Sequence, residues 1–411
     1  MSHLAPVDPR ILAEAVAGCV VIVSDESAAA TAPIFWHWAR RVVTPVLEEL
    51  SMLPDSEARE ASESLRQDWW SGEAYNRLVR RLLYLAECAQ NDVKVLFDRA
   101  WEAVGNSRVG YHLGPFYSGQ PDEIAVGALL TKARIGTHKK ISHDEDWAGG
   151  AAALIVVPFR DTTPTKNRLR NVVACLRALR DQSAASTDYR VVVVESDEFP
   201  RFHEPLRTLA DHYVFAPKAG SFNKSWAVNA GVRNVAGEFD LVCILDGDAL
   251  PDRDFIRRNL QRFLVPGTQA VLPYRDALFL DEPATGTALR QRLLNGAADA
   301  DRDHLRGFFV RRNPGLCFWI RTHTFRAIGG MDERFEGWGG EDTDFALRVA
   351  ANAALDRYGD SILHLYHPPS STPADGTVPN SHIVKMSWPK DSDFGRLDRF
   401  SGSLPAAGTV S

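Results

Sequence analysis

From about residue 150 onward, short apolar runs alternate with stretches of helical spacing, and this alternation constrains the fold most. The apolar runs cover residues 153–157, 189–195 and 241–245, and the helical stretches cover residues 171–180 and 225–235. Strands that alternate with helices predict a parallel sheet connected by crossover helices. Because the runs are apolar throughout, both faces of the sheet should be buried. We therefore predict an α/β domain.

The 411 residues suffice for this domain and an additional module. Residues 1–148 are predicted to form a mainly helical N-terminal module and connector, since apolar residues between positions 33 and 106 recur at helical spacing. Residues 149–370 form the predicted α/β domain. Residues 371–411 are rich in proline and serine, which predicts a loosely ordered C-terminal extension.

Composition excludes some classes of partner and location. A net charge of −6 over the chain, with no basic stripe, argues against nucleic-acid binding. The five widely spaced cysteines fit free thiols in a reducing cytosol. The apolar run at residues 15–23 is shorter than the roughly 20 residues that a membrane span needs. We expect a cytoplasmic protein without a signal peptide, an anchor or a membrane partner; its oligomeric state stays open.

Two carboxylates follow the apolar run 241–245, in the sequence Asp246-Gly247-Asp248. In an open α/β sheet, ligands bind at the carboxyl ends of the strands. Extended chain would point Asp246 and Asp248 to the same side, so that both could bind a hard cation such as Mg²⁺ or Mn²⁺. The alternative is an Asx turn that binds nothing.

A second group of polar residues lies at Trp338-Gly339-Gly340-Glu341-Asp342. Acids in the first turn of a helix can simply complement its dipole. The glycines and the tryptophan instead favour a hinged loop that closes over a sugar and excludes water. Asp342 at the mouth of such a site could act as a general base.

Two histidines, His364 and His367, follow a further apolar run. A single histidine is usually structural, but one that lies downstream of an Asp-x-Asp sequence could complete a mixed coordination sphere. Both are candidates for the metal ligand.

Three further residues could contact a nucleotide. Arg160 follows an apolar run at a strand end, where its guanidinium could pair with phosphates or form an ordinary surface ion pair. Asn223 and Asn229 lie at a helix close to the 241–245 strand and could hold ribose or phosphate, or serve only as caps.

Four motifs in this order are similar to those of the β-1,4-galactosyltransferases and related family 2 glycosyltransferases with a GT-A fold. They are Val-Pro-Phe-Arg at 157–160, Phe-Asn-Lys-Ser-Trp-Ala-Val-Asn at 222–229, Asp-Gly-Asp at 246–248 and Gly-Trp-Gly-Gly-Glu-Asp at 337–342. The resemblance spans residues 151–369. It implies a GT-A (Rossmann-like) domain with an added helical N-terminal module.

The resemblance also implies roles for single residues. Asp248 would bind the metal directly, with Asp246 beside the ribose or the metal. Asp342 would be the base and Glu341 would grip the acceptor, while Trp338 would pack on both sugars. The residues assigned to the nucleotide sugar are Pro158, Phe159, Arg160, Asn223, Asn229, Asp246, Gly247, Trp338, Gly339 and Gly340.

The activity that the resemblance implies is the inverting transfer of a glucose- or galactose-type hexose from a UDP-sugar to a hydroxyl of a small soluble acceptor. The Ala- and Arg-rich composition is typical of high-GC bacteria, so an antibiotic aminocyclitol such as validoxylamine is one candidate acceptor. Alternatives are a retaining transferase, a transferase that builds a saccharide polymer, a metal-dependent phosphatase with Asp246 as nucleophile, and a sugar-binding protein without activity. The sequence departs from the animal enzymes by Asp-Gly-Asp in place of Asp-Val-Asp, which leaves the donor hexose and the acceptor open.

Overall fold

The structure, a computed structural model, describes residues 8–25, 33–106, 109–114, 116–120, 122–131, 151–337, 339–368 and 380–403. The chain divides into two compact units. The first comprises Met1–Asp122, Leu278–Thr287 and Asp301–Arg312, and the second comprises Glu123–Ala277, Ala288–Ala300 and Asn313–Ser411. The predicted boundary at residue 148 lies outside the described residues.

Helices and strands are numbered in chain order. The helices are α1 (Pro9–Ser24), α2 (Pro33–Met52), α3 (Ser56–Gln67), α4 (Gly72–Cys88), α5 (Gln90–Asn106), α6 (Val126–Leu130), α7 (Asn167–Arg180), α8 (His203–Arg207), α9 (Lys224–Asn234), α10 (Phe255–Arg262), α11 (Glu282–Leu289), α12 (Thr322–Ala327) and α13 (Glu341–Asn352). The strands are β1 (Val109–Leu113), β2 (Ala151–Phe159), β3 (Tyr189–Glu195), β4 (His212–Phe215), β5 (Phe239–Leu245), β6 (Ala249–Leu250), β7 (Ala270–Leu280), β8 (Arg306–Arg311), β9 (Cys317–Arg321) and β10 (Leu355–His364).

The first unit is built on helices α1 to α5, as the apolar spacing of residues 33–106 predicts. Their buried faces share one apolar core, which includes Val20, Leu50, Leu78 and Leu82. Side chains cap three of the helices, because Asp8, Asp55 and Ser71 accept from the first turns of α1, α3 and α4. In the same unit β1 pairs antiparallel with β8.

The second unit contains a sheet with a parallel centre, and this confirms the predicted α/β class. Strands β2 and β3, β2 and β5, and β3 and β4 pair in parallel, while β9 pairs antiparallel with β5 and with β7. Strand β6 pairs antiparallel with β10, and β10 also pairs with β7. The predicted strands at 153–157, 189–195 and 241–245 lie within β2, β3 and β5. Because these three are parallel, their carboxyl ends meet at one edge of the sheet.

Residues 380–403 pack against the second unit, unlike the loosely ordered extension predicted from residue 371. The indole Nε1 of Trp388 donates to the Gly329 carbonyl at 2.7 Å, and that of Trp226 donates to the Arg396 carbonyl at 2.9 Å. Phe394 and Phe400 lie against the core of this unit. Average composition conceals such isolated aromatic residues, each of which can bury enough apolar surface to order its neighbours.

Two further expectations concern the whole chain. Cys19, Cys175, Cys243 and Cys317 are free and buried, as expected, whereas Cys88 is free and exposed. None of the helices in the described residues combines the length and the apolar composition that crossing a bilayer requires.

We predict that Gly231→Ala destabilises the protein. A Cβ at Gly231 in α9 would lie 2.7 Å from Val156 Cγ1 and 2.8 Å from Val194 Cγ2, both inside the sheet core. Overpacking of this kind costs about 1–3 kcal/mol, measurable as a lower free energy of unfolding in urea.

The matched control is Gly18→Ala in α1, where no heavy atom of the described residues lies within 4 Å of the added Cβ. That change should stabilise the helix by roughly 0.5–1 kcal/mol, since glycine is a poor helix former. Equal effects of the two substitutions would contradict the packing argument.

Candidate active site

The site lies where β5 ends, at Asp246 and Asp248. The backbone N–H of Asp246 donates to the Leu316 carbonyl at 2.9 Å, and the Asp248 carbonyl accepts from Leu365 N–H at 2.8 Å. Gly247 between them packs closely, since an added Cβ would lie 3.2 Å from Val172. The two carboxylates have different partners, whereas the extended-chain argument predicted that both would bind one cation.

Asp246 faces a buried lysine. The Lys224 ammonium lies 2.7 Å from Asp246 Oδ1 and 2.9 Å from Asp342 Oδ1. It therefore connects the carboxyl end of β5 to the start of α13. Lys224 itself begins α9. Burial alone would lower the pKa of Lys224, but the charges of Asp246 and Asp342 outweigh it and hold that pKa well above its usual value. The ammonium is therefore charged.

The same environment affects Asp246 in the opposite way to most ion-paired carboxylates. Burial, assisted by the charges of Asp342 and Asp248, raises the pKa of Asp246 to about 6, although Lys224 opposes the shift. Asp246 thus belongs to a group of buried charges rather than to a solvated turn.

The backbone at Gly315 lies close to the Asp342 carboxylate. A Cβ on Gly315 would lie 2.3 Å from Asp342 Oδ2, so this position admits only glycine while the carboxylate stays in place. The Lys224 ammonium contacts both oxygens of Asp342, at 2.9 and 3.1 Å. The two contacts with Lys224 give the carboxylate a defined orientation.

Glycines shape the loop ahead of Asp342. Gly337, Gly339 and Gly340 have φ values of 69°, 106° and 99°, in the left-handed region that side chains disfavour. The Gly339 N–H donates to Glu341 Oε2 at 3.1 Å. Trp338, predicted to stack on the sugars, lies outside the described residues.

Glu341 is buried beside Asp342. Burial, and then the charge of Asp342, raises the pKa of Glu341 to about 8. At neutral pH the Glu341 carboxyl is therefore largely protonated and can donate a hydrogen bond as well as accept one.

Asp248 belongs to a second cluster, with His364 and His367. The Nε2 atoms of these histidines lie 3.6 and 3.1 Å from Asp248 Oδ2, and one ligand atom from each of the three residues falls within 4.8 Å of the others. The other ring nitrogen of His367 lies 2.8 Å from the Pro368 carbonyl. A carbonyl oxygen can only accept, so Nδ1 donates there, and Nε2 is the ring nitrogen of His367 that faces Asp248.

The electrostatics of this cluster suit a cation. Burial lowers the pKa of His364 to about 4, so its imidazole is neutral at physiological pH. Burial would raise the pKa of Asp248, but His364, His367 and Arg168 outweigh it and hold that pKa below its usual range. Oδ1 of Asp248 is buried and accepts no hydrogen bond within the described part of the chain. The ionised Asp248 carboxylate has one oxygen without a hydrogen bond among the described residues, and the His364 imidazole beside it is neutral. Together they are a suitable set of ligands for a divalent metal.

Helix α7 holds the segment that carries His367. Arg170 and Asn171 donate to the Tyr366 carbonyl at 2.9 and 3.0 Å, and Arg168 donates to the Pro368 carbonyl at 3.4 Å. Backbone carbonyls on both sides of His367 are thereby fixed to one helix.

The residues predicted to contact the nucleotide divide into two groups. Arg160 emerges at the end of β2 and lies 3.4 Å from Asp197 Oδ1, with its side chain 13% exposed. It lies at the edge where the parallel strands end, as predicted. Phe159 is buried edge-on against Phe202, and Pro158 lies in β2 opposite Val194.

Asn223 and Asn229 do not reach the site, contrary to the nucleotide-binding prediction. Asn223 caps α9 through Trp226 N–H and donates to the Glu333 carbonyl at 2.8 Å. Asn229 donates to the Met331 carbonyl and accepts from Met331 N–H. Both are fully buried, and their amides join α9 to the loop that follows α12. The capping alternative describes Asn223 correctly.

Sequence reasoning missed the roles of Lys224 and Asp197. Lys224 stands inside one of the recognised motifs, but a lysine in a first helical turn is normally solvated. Asp197 follows β3 and is 2% exposed at its side chain. The rule that found Asp246, polar residues after an apolar strand, applies equally to Asp197 and could have identified it.

Two family models match the chain between residues 162 and 368. Residues 162–329 match glycosyl transferase family 2, and residues 308–368 match the model described as the N-terminal domain of galactosyltransferase. Both motifs with carboxylates, at 246–248 and 341–342, lie within these ranges.

Among curated proteins the chain is similar to a pre-mycofactocin glycosyltransferase of Mycobacterium tuberculosis, at 29% identity over 231 residues, 55% of this chain and 45% of the relative. It is also similar to a validoxylamine A glucosyltransferase of Streptomyces hygroscopicus, at 26% identity over 223 residues, 46% of this chain and 50% of the relative. The chain spans about half the length of the curated relatives it matches.

Among solved structures, a mannosyltransferase of Pyrobaculum calidifontis in complex with GDP-Man and Mn²⁺ is similar at a TM-score of 0.36 and 16% identity, over 58% of this chain and 62% of that one. The fold assignment rests on the family models and on the strand order, not on this likeness.

We predict that Glu341→Gln makes stability less dependent on pH. The folded-state pKa of Glu341, about 8, exceeds its ordinary value of 4.5, so its stabilising contribution is complete below pH 4.5 and is lost as pH rises through 8. Glutamine imitates the protonated carboxyl at every pH. The stability advantage of the variant, from urea unfolding, should therefore grow between pH 5 and pH 9.

The control is Glu238→Gln, at an exposed position of the same unit, and it should show no such growth. An advantage for Glu341→Gln that is constant across this range would contradict the buried, protonated carboxyl.

Proposed function

We propose that this chain, whose residues 162–329 match the glycosyl transferase family 2 model, transfers a hexose from a UDP-sugar to a hydroxyl group of a small acceptor, with inversion. The observation that carries the proposal is the arrangement at the end of β5. There an Asp/His/His donor set at Asp248 adjoins a carboxylate, Asp342, that a buried lysine orients. One part suits a diphosphate leaving group and the other suits the attacking hydroxyl.

Asp248, His364 and His367 are the residues that would hold a divalent metal. Two imidazole nitrogens beside one carboxylate favour Mn²⁺ over Mg²⁺, which prefers an all-oxygen sphere. Once bound, the metal supplies Lewis-acid stabilisation of the negative charge on the departing nucleoside diphosphate. Asp246, which the sequence also assigned to the metal, is better suited to hold Lys224, because its carboxylate contacts the ammonium at 2.7 Å.

Asp342 would remove the proton from the acceptor hydroxyl as that oxygen attacks the anomeric carbon. The new C–O bond forms on the face opposite the breaking bond to the diphosphate, so the anomeric configuration inverts. Lys224 keeps Asp342 oriented, and the protonated Glu341 can donate a hydrogen bond to the acceptor. A positioned base of this kind contributes a factor of about 10² to 10⁴.

The donor and acceptor are inferred from chemistry and from the relatives. Arg160 follows β2 and Asp197 follows β3, at the edge of the sheet where a nucleotide would bind. Arg160 supplies a positive charge there and Asp197 a hydrogen-bond acceptor. A glucose- or galactose-type UDP-hexose agrees with the names of the validoxylamine A glucosyltransferase and of the galactosyltransferase family model. Validoxylamine A and pre-mycofactocin are the first acceptors to test, beside simple sugars.

The first test is a screen of UDP- and GDP-hexoses for Mn²⁺-dependent hydrolysis, followed by acceptor trials with the best donor. Turnover of a UDP-hexose supports the proposal, and NMR of the product separates inversion from retention. No turnover of any nucleotide sugar, with or without acceptor, would overturn it.

We predict that Asp342→Asn abolishes transfer while UDP binding persists, because the amide keeps the shape of the carboxylate but cannot accept a proton. Transfer should fall by about 10² to 10⁴, measured as kcat with the best donor and acceptor. Calorimetric titration with UDP and Mn²⁺ is the control for an intact donor site. Wild-type turnover by this variant would refute the assigned base.

We predict that His364→Ala and His367→Ala each weaken Mn²⁺ binding by at least about tenfold, since loss of even an outer-shell partner of a metal costs this much. Electron paramagnetic resonance of free Mn²⁺ measures the affinity directly, without activity. His323→Ala, on the exposed start of α12, is the matched control and should bind normally. Unchanged affinity in both site variants would place the metal elsewhere.

A further inference from the structure

The loop that precedes Glu341 and Asp342 is tied to the C-terminal segment, residues 380–403, by the side chain of Asn380. Its Oδ1 accepts from Glu336 N–H at 3.3 Å, and its Nδ2 donates to the Glu336 carbonyl at 3.0 Å and to the Gly339 carbonyl at 2.9 Å. One amide therefore engages both backbone groups of residue 336 and a carbonyl three residues later, close to the start of α13.

The choice of asparagine has two physical reasons. Its amide group presents a donor and an acceptor side by side, which is what the N–H and C=O of a single residue require. Asn380 also has a φ of 59°, and asparagine tolerates this left-handed conformation better than most residues. A β-branched side chain would satisfy neither condition.

The loop needs such a tie because its own residues restrict it little. Gly337, Gly339 and Gly340 all have positive φ, and glycine loses more conformational freedom on ordering than any other residue. One further bond, from Gly337 N–H to the Phe222 carbonyl at 2.7 Å, joins the loop to the residue that precedes Asn223. The loop is thus held from the α9 side and from the C-terminal side.

The C-terminal segment is itself firmly anchored. The Met386 N–H donates to the buried Asp344 carboxylate in α13 at 2.6 Å, and Gly395 N–H donates to Glu333 Oε1 at 2.6 Å. Arg399 pairs with the same glutamate at 2.9 Å. Glu333 precedes the glycine loop in the sequence and Asp344 follows it. These contacts therefore hold in place the segment that carries Asn380.

We propose that Asn380 is a positioning residue for the acceptor side of the site, acting through the backbone of Glu336 and Gly339. The inference rests on the proposed function, because it holds that the ordered loop keeps Glu341 and Asp342 in place for the reaction. Asn380 contacts no reacting atom. Its loss frees the loop, so that the acceptor hydroxyl meets Asp342 less often in a reactive arrangement, while the metal cluster at Asp248 is untouched.

Two substitutions and a control distinguish the effect of the Asn380 hydrogen bonds from the effect of its backbone conformation. Asn380→Gly removes all three hydrogen bonds and keeps the left-handed backbone without strain. Asn380→Asp retains an acceptor for Glu336 N–H but has no donor for the two carbonyls. The control, Ser387→Ala, lies in the same segment and removes a hydroxyl that accepts from Arg334 and donates to the Val384 carbonyl, without touching the loop.

Three measurements are made on each full-length variant: acceptor kcat/KM for transfer, hydrolysis of the donor without acceptor, and hydrogen exchange of the amides at 336–342. For Asn380→Gly, acceptor kcat/KM should fall by about tenfold to a hundredfold, as misplacement of reacting groups predicts, with a smaller loss of hydrolysis. Exchange at the loop should accelerate. Asn380→Asp should show the same pattern, and Ser387→Ala should behave as wild type.

If the loop amides of Asn380→Gly exchange hydrogen at the wild-type rate, Asn380 does not order the loop. Transfer and hydrolysis that fall by equal factors would overturn the positioning role, since a merely structural defect reduces both together. If wild-type protein turns over no nucleotide sugar, the proposed function fails, and the exchange experiment still decides whether Asn380 orders the loop.

Discussion

The Lys224 ammonium between Asp246 and Asp342 is the interaction on which the site depends. A buried charge is tolerated only when it is paired and hydrogen-bonded, and removal of one partner typically costs more than the pair contributes. Here one cation satisfies two carboxylates that arrive from β5 and from α13, nearly a hundred residues apart. Several neighbouring features serve this contact. Gly315 leaves room for Asp342, and Asn223 caps the helix that begins with Lys224.

The turn at Gly247 separates two electrostatic environments within three residues. Burial among other carboxylates raises the pKa of Asp246, whereas two histidines and Arg168 depress the pKa of Asp248. Groups with the same chemistry and opposite shifts commonly divide the labour of a site. In the proposed reaction Asp248 belongs to the leaving-group side, while Asp246 supports the lysine that orients the base.

Sequence patterns located most of the site because its residues follow apolar strands or begin a helix. Asp248, His364 and His367 meet as the paired strands β6 and β10 bring their flanking residues together, and Arg160 lies at the predicted edge. The patterns failed for Asn223 and Asn229, whose amides are consumed by long-range bonds to Met331 and Glu333. They also undervalued residues 380–403, where Trp388 and Asn380 make specific contacts within a polar stretch.

The sequence by itself determined the α/β class, the helical N-terminal region, the strand ends that carry carboxylates and the family motifs. Each of these depends on residue type and spacing along a few turns of chain. Only the tertiary structure decided that Asp246 pairs with Lys224 while Asp248 faces two histidines, and that the glycine loop is bound by Asn380. Those outcomes depend on which surfaces meet across separations of 22 to 119 residues, and on burial, which sets the charge of Glu341 and His364. Local patterns place a residue on an element, but its partners are chosen by the packing of elements against one another.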